Sequence, residues 1–334
     1  MKYIYLLALI LITFTSSLRA QVEEVSEAPN PNTPLENMFG DPNVFADLKI
    51  LTYDASSVND LTVKQKELVY YLSQAALSGR EITYAQNYKH NILLKRTLEE
   101  IYAKYEGDRN SPEWHEFEVY LKRFWFSNGI HHHYAEKKFV ANFPPHLLFE
   151  VESMTPNLKL PKNEMESNEE FLERIMPIML DPNLDSKKVV KDKGVDKVAL
   201  SANNYYGDGV TEAEALAHYA AMGEKGEKTP VEYGLNSRLV KVDGKLVDLV
   251  YKSGGLYGDA MDAMISWLKK AEKVAENDAQ AKHISMLIDY FKTGDLKQWD
   301  ATNINWVNST EGDIDFILGF IEVYGDAIGY KGAF

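Results

Sequence analysis

The sequence contains no cysteine. That excludes a disulfide framework, a thiolate metal ligand, a cysteine nucleophile and a bacterial lipoprotein anchor. Long apolar runs are scarce as well. Ile4 to Phe14 is an apolar stretch of 11 residues, whereas a bilayer core takes about 20. Basic residues are outnumbered, with 36 Lys+Arg against 50 Asp+Glu and a net charge of −14. Nucleic-acid phosphates and anionic lipid both select for clustered cations, so neither nucleic acid nor a membrane is an expected partner of the mature chain. Catalytic signatures are missing too: there is no G-x-S-x-G elbow and no Walker loop. The zinc-peptidase pattern needs two histidines one helical turn apart with a glutamate between. It comes nearest at His115-Glu116, where the second histidine is replaced by Val119 or Tyr120.

What is present begins with an export signal. Lys2 precedes the apolar run, and Ser16-Ser17-Leu18-Arg19-Ala20 resembles a cleavage region, so residues 1–20 read as a signal peptide. An exported, cysteine-free chain fits the periplasm of a Gram-negative bacterium. Residues 21–45 are acidic and punctuated by Pro29, Pro31, Pro34 and Pro42, which reads as a flexible leader. The remainder, residues 46–334, is long enough for one large domain or two smaller ones at roughly 150 residues each.

Helices dominate its front. Asn59 or Asp60 can cap a helix over 61–78, and the apolar spacing predicts another over 83–105. Ser111 and Pro112 start a third that ends at Asn128-Gly129. Shorter helices are predicted over 168–176 and 211–222, and longer ones over 257–277 and 279–292. Strands gather later. Arg238–Val242 and Leu246–Tyr251 flank Asp243-Gly244, a hairpin signal. Ala199–Tyr206, Ile304–Val307 and Phe316–Tyr324 also read as strand-like. Helices first and strands late predict an α+β lobe.

Among polar candidates, His131-His132-His133 follows directly on a helix end with no carboxylate at ligand spacing, and reads as a turn lined by rings rather than a metal site. Gly207-Asp208-Gly209 reads as a turn. Asn308-Ser309-Thr310 matches a glycosylation sequon, which carries little weight in a bacterial export product. Glu322 and Tyr324 would share one face of a strand, about 7 Å apart. A carboxylate can hold an amine and a phenol can donate to an oxyanion, but the spacing by itself reads as an ordinary exposed face.

Three strings carry a family resemblance. Val119-Tyr120-Leu121-Lys122-Arg123 through Ser127-Asn128-Gly129-Ile130-His131-His132-His133-Tyr134 to Lys138-Phe139-Val140 is similar to the bacterial branch of the dipeptidyl peptidase III family. So are Asn236–Lys241 and Gly319-Phe320-Ile321-Glu322-Val323-Tyr324-Gly325-Asp326. The resemblance runs in order from about Leu48 to Phe334 and implies the N-terminal half only of a two-lobed zinc exopeptidase that releases dipeptides from short peptides. It implies a helix-rich lobe containing a five-stranded β-barrel. By position, Glu322 resembles the glutamate that grips the substrate amine, Tyr324 the tyrosine that stabilises the tetrahedral intermediate, and Tyr134 an aromatic residue of the cleft. Zinc is implied for the full-length family, bound through an HExxGH motif that this chain lacks, so no zinc is expected here and the chain alone is expected to be inactive. The expected partners are short peptides and a zinc-binding C-terminal half. The alternative is a non-catalytic periplasmic peptide-binding lobe or a decayed fragment.

Overall fold

A computed structural model describes residues 44–155, 157–223 and 230–334. The expected signal peptide (1–20) and all of the expected leader except its last two residues lie outside the described residues. The chain divides into two units, one ending at Asp54 and the other running from Ala55 to Phe334. In the first, Val44–Phe45 (β1) pairs antiparallel with Leu48–Lys49 (β2).

The second unit is built on one long helix, Val63–Asn87 (α1). Its cap is Thr62, which forms a reciprocal capping box with Gln65. Asn59 and Asp60 instead lie in a short 3-10 turn, Ser56–Asp60. The helix predicted over 83–105 is split in two. Tyr88 is extended, and a new helix, Asn91–Lys104 (α2), follows. Periodicity cannot show this break because tertiary contacts hold it. The buried Asn91 amide donates to the Tyr84 carbonyl at 3.0 Å, and the Tyr88 hydroxyl donates to Asp185 Oδ2 at 2.6 Å.

Pro112–Ser127 (α3) begins and ends where the capping residues say it should. The Ser111 hydroxyl accepts from the Trp114 N–H at 3.2 Å, and Asn128 closes the helix in the left-handed region. Ser111→Ala removes that acceptor and is expected to cost about 1 kcal/mol, measurable by urea denaturation. His146–Met154 (α4) and Asn168–Leu180 (α5) follow. The latter runs past Pro177 because Ile175 and Met179 are both buried on its inner stripe. Lys197–Leu200 (α6), Glu212–Met222 (α7), the hairpin Ser237–Val242 (β3) with Lys245–Val250 (β4), then Gly258–Lys273 (α8), Asp278–Thr293 (α9) and Leu296–Asn308 (α10) complete the unit. At the hairpin turn, Asp243 and Gly244 take φ 49 and φ 76, the doubly left-handed turn that matches strand twist.

Two apolar cores share α1. Its C-terminal part contributes Tyr84 to a core with α2, α3, α4 and α5, around Trp114, Phe117, Phe124, Leu148 and Phe171. Its N-terminal part contributes Leu68, Leu72 and Ala75 to a core with α8, α9 and α10, around Met264, Leu268, Ile284 and Phe291. A smaller cluster of Tyr205, Tyr206, Ala215, Tyr219 and Leu239 lies under the β3–β4 hairpin.

The expected five-stranded β-barrel is not there. Among the described residues the sheets are two antiparallel pairs, β1–β2 and β3–β4, and neither closes. Three predicted strands also take other forms. Within 199–206, the start belongs to α6, and Tyr206 meets Leu239 by a single parallel bridge. Ile304–Val307 lies inside α10, where Trp299 and Thr302 bury at helical spacing and Ile304 and Val307 face outward. Read alone, those four residues mimic a strand. Read with Trp299 and Thr302, Trp306 continues a helical stripe that leaves Ile304 and Val307 outside. Residues 316–324 run irregularly and pair only where Glu322 meets Ala333. No described helix is long and apolar enough to cross a membrane.

Candidate functional site

Glu322 and Tyr324 lie on the segment that follows Phe320, a ring fully buried in the α8–α10 core. Buried Phe320 anchors one end. The backbone then pairs with the last residues of the chain: Ile321 N–H donates to the Ala333 carbonyl at 3.1 Å, and Ala333 N–H donates back to the Glu322 carbonyl at 2.8 Å. Both candidate side chains are exposed, Tyr324 by 69%. Regular strand geometry stops at this pair, and Tyr324 opens a turn in which Asp326 N–H donates to the Val323 carbonyl. The segment is held by its backbone and leaves its side chains free to meet a ligand.

Beneath the segment is a polar network that the sequence reading missed. Lys331 is completely buried. Its ammonium donates to the Tyr219 hydroxyl and, at 3.1 Å, to Ser237 Oγ, and lies 3.5 Å from Asp248 Oδ1. Asp248 is the centre of the group. It accepts from Tyr219 at 2.7 Å, from Ser237 at 2.5 Å and from His218 Nε2 at 2.7 Å. Asp326 folds the loop between Glu322 and Lys331. Its carboxylate accepts from the Tyr206 hydroxyl at 2.8 Å and from the backbone N–H groups of Tyr330 and Lys331 at 2.8 and 3.0 Å. Burial lowers the Lys331 ammonium to about 8 against the pull of Asp248 and Asp326. Burial also pushes Asp248 upward, but the Lys331 charge and the donors around it prevail and hold it below the usual carboxylate range. Burial and the neighbouring carboxylates raise Tyr206 and Tyr219 far above an ordinary phenol, so both remain donors. One signal was available in the sequence: Asp248 interrupts the apolar run Leu246-Val247-Asp248-Leu249-Val250, and a lone carboxylate inside a strand requires partners.

Tyr134 stands 87% exposed on a turn closed by His132, whose Nδ1 accepts from the backbone N–H of Tyr134 and Ala135 at 3.1 and 2.9 Å. His131 is buried, sits 2.7 Å from the Asp185 carbonyl, and is lowered by burial to about 4. The three rings thus organise a turn. A loop connects this turn with the Glu322 segment. Lys188 N–H donates to the Glu136 carbonyl at 2.8 Å, and Lys191 Nζ donates to the Tyr324 carbonyl at 3.2 Å. Tyr134 and Tyr324 therefore lie on segments tied by one basic loop. Among the described residues no three His, Asp or Glu side chains are grouped to hold a metal ion. The zinc that the family resemblance implies finds no such group of ligands among the described residues.

A family model for peptidase family M49 matches residues 204–334. That stretch contains Glu322, Tyr324, Asp248 and Lys331 and excludes Tyr134. Among solved structures, dipeptidyl-peptidase III from Corallococcus sp. strain EGB aligns over 84% of this chain and 39% of its own, with 16% identity and a TM-score of 0.51. Dipeptidyl peptidase III from Caldithrix abyssi aligns over 84% and 40%, with 19% identity and a TM-score of 0.47. The first is a likeness of fold. This chain spans about two fifths of the length of either. No curated protein sequence matches it. Over residues 204–334 the chain is thus similar to peptidase family M49.

Proposed function

We propose that this chain forms the substrate-gripping part of an exported dipeptidyl peptidase acting on short peptides. The observation that carries the reading is the segment Glu322–Tyr324. It falls within the family match, its backbone is fixed by Ala333 and the Asp326 turn, and its two polar side chains are exposed. In this reading the Glu322 carboxylate accepts from the ammonium of a peptide's N-terminus, an ion pair strengthened by hydrogen bonds. The Tyr324 hydroxyl donates to the oxygen on which negative charge develops when the second peptide bond is attacked. Tyr134 offers an apolar face to the peptide's side chains. Zinc would supply activation of the attacking water, from ligands outside the residues described here. Export rests on residues 1–20 and gives a periplasmic location.

The test is binding, which this chain can perform without completing the chemistry. A tetrapeptide with a free amine is expected to bind the full chain roughly ten times more tightly than its N-acetylated form, the scale of one charged hydrogen bond at a partly exposed site. Glu322→Gln should erase that difference while leaving the acetylated peptide unchanged, as read by isothermal titration calorimetry. Equal affinity for the two peptides, or no measurable binding of the free amine, would overturn the reading.

A further inference from the structure

Gln86 is buried near the C-terminal end of α1, and its side-chain amide is used twice. Nε2 donates to the Gly332 carbonyl at 2.9 Å, and Oε1 accepts from the Phe334 N–H at 2.9 Å. One amide thus serves residues 332–334 as a neighbouring strand would. Its orientation is fixed by those partners, because turning it over would set N–H against N–H and oxygen against oxygen. Ala333, held between the two bonds, is the residue that pairs with the backbone of Ile321 and Glu322. Gly332 also passes so close to Leu235 and the Phe320 backbone that a Cβ there would lie 3.0 Å from each.

The far end of the same segment is held from the same place. The Gln86 backbone carbonyl accepts from the Asn204 N–H at 2.8 Å, and Asn204 Nδ2 donates to the Ala85 carbonyl at 3.0 Å. Asn203, buried beside it, extends its own amide to the Gly325 carbonyl at 3.1 Å. Gly325 directly follows Tyr324. The segment Glu322–Tyr324 is therefore suspended between two supports, Ala333 and Asn203, and both refer back to Gln86. The circuit closes through α1, the helix that both large cores share.

We propose that Gln86 and Asn203 are positioning residues for the amine-gripping site, holding the backbone that carries Glu322 and Tyr324 ready before a peptide arrives. The proposal rests on the reading of Glu322 and Tyr324 given above. Both residues are buried, so they act through the backbone rather than on the peptide itself. Without them an irregular segment with exposed side chains would lose its conformational freedom only on binding, and the grip would weaken accordingly. The sequence offers no hint of this, because 86, 203, 325 and 333 are distant from one another in the chain.

Two measurements on the full chain test it. Amide hydrogen exchange reads the segment without a ligand. In the parent protein the Ile321 and Asp326 amides are expected to exchange at least about tenfold more slowly than in an unfolded peptide, although their segment is irregular. Asn203→Ala should speed both about fivefold, the scale of one lost hydrogen bond, and leave α3 unchanged. Calorimetry reads the grip. The preference for a free amine over an N-acetylated tetrapeptide, about tenfold in the parent, should fall to about twofold in Asn203→Ala and in Gln86→Met, with the acetylated peptide unchanged. A merely structural role would lower the folded fraction for both peptides alike and leave their ratio where it was. The parent's own exchange is part of the expectation, so the test survives a variant that fails to fold. Unprotected Ile321 and Asp326 amides in the parent, exchange unmoved by Asn203→Ala, or an amine preference that persists in that variant would each overturn the positioning role and leave the Glu322 reading standing. A parent protein with no preference for the free amine overturns that reading itself, and the positioning role with it.

Discussion

Asp248→Ala is expected to lower the free energy of unfolding at pH 7 by about 3–5 kcal/mol, the range found when one member of a buried ion pair is removed. The reason is what it leaves behind. Lys331 is wholly enclosed, and without Asp248 its nearest counter-charge is gone while Tyr219, Ser237 and His218 lose their common acceptor. Adding Lys331→Met to Asp248→Ala should restore much of the loss, because the stranded charge is then removed as well. The cost should also depend on pH. Lys331 titrates at about 8 in the fold against 10.5 for a free lysine. Between those values the unfolded chain holds the proton and the folded chain does not, so the contribution of Lys331 to stability rises with pH, by roughly 1 kcal/mol per pH unit. Removing Asp248 lowers the Lys331 value further. The attraction between the two is then fully present below the lowered value and lost as pH rises through about 8. Urea denaturation should therefore show a smaller penalty for Asp248→Ala at pH 9 than at pH 7, with the residual reflecting the lost hydroxyl and imidazole bonds. Above pH 10 the direction reverses for the parent protein, since Tyr206 and Tyr219 stay protonated in the fold while their unfolded counterparts ionise. A loss below 1 kcal/mol at pH 7 would show that Lys331 is satisfied without Asp248.

This network explains why part of the molecule was legible in the sequence and part was not. Several signals that act within a few residues read correctly: Ser111 and Pro112 open α3, Asn128 closes it, and Asp243-Gly244 turns the hairpin, whereas the cap of α1 is Thr62 and not Asn59 or Asp60. Each depends on one side chain and the nearest backbone. The break at Tyr88 depends on Asp185, 97 residues away, and no local window contains it. The expectation of a strand at Ile304–Val307 failed for a related reason. Short apolar stretches such as Ile304–Val307 satisfy either period, and the choice between them is made by Trp299 and Thr302 burying on one helical face. At the site, strand spacing and a family string both point to Glu322 and Tyr324, while neither points to Lys331 or Asp248. Burial decides the importance of those two: Asp248 betrays it only by interrupting an apolar strand, and Lys331 gives no sign of it until its partners, drawn from α7, β3 and β4, come together.

Trp114→Ala is the second large effect and comes from the opposite core. The indole is fully buried, stacked on Tyr105 with centroids 4.0 Å apart and on Phe117 at 4.9 Å, with the Arg109 guanidinium 5.1 Å from its ring. Truncation leaves a void the size of an indole among α2, α3 and α4, and large aromatic truncations of this kind cost about 3–5 kcal/mol. The lower half of that range is expected, because Trp114 Nε1 has no hydrogen-bond partner in the fold and its removal relieves a buried donor. Arg109 should hold the void partly closed, since its guanidinium donates to the Tyr102 and Tyr105 carbonyls. Trp114 lies in the α2–α5 core and Asp248 is bonded to Tyr219 of a separate cluster, so the two losses should add to within about 0.5 kcal/mol in the double variant if the protein unfolds as one cooperative system. The alternative outcome is equally specific. If the core around Trp114 and the core around Met264, joined through α1, unfold separately, Trp114→Ala will split the urea transition in two, and the later step will keep the midpoint of the parent.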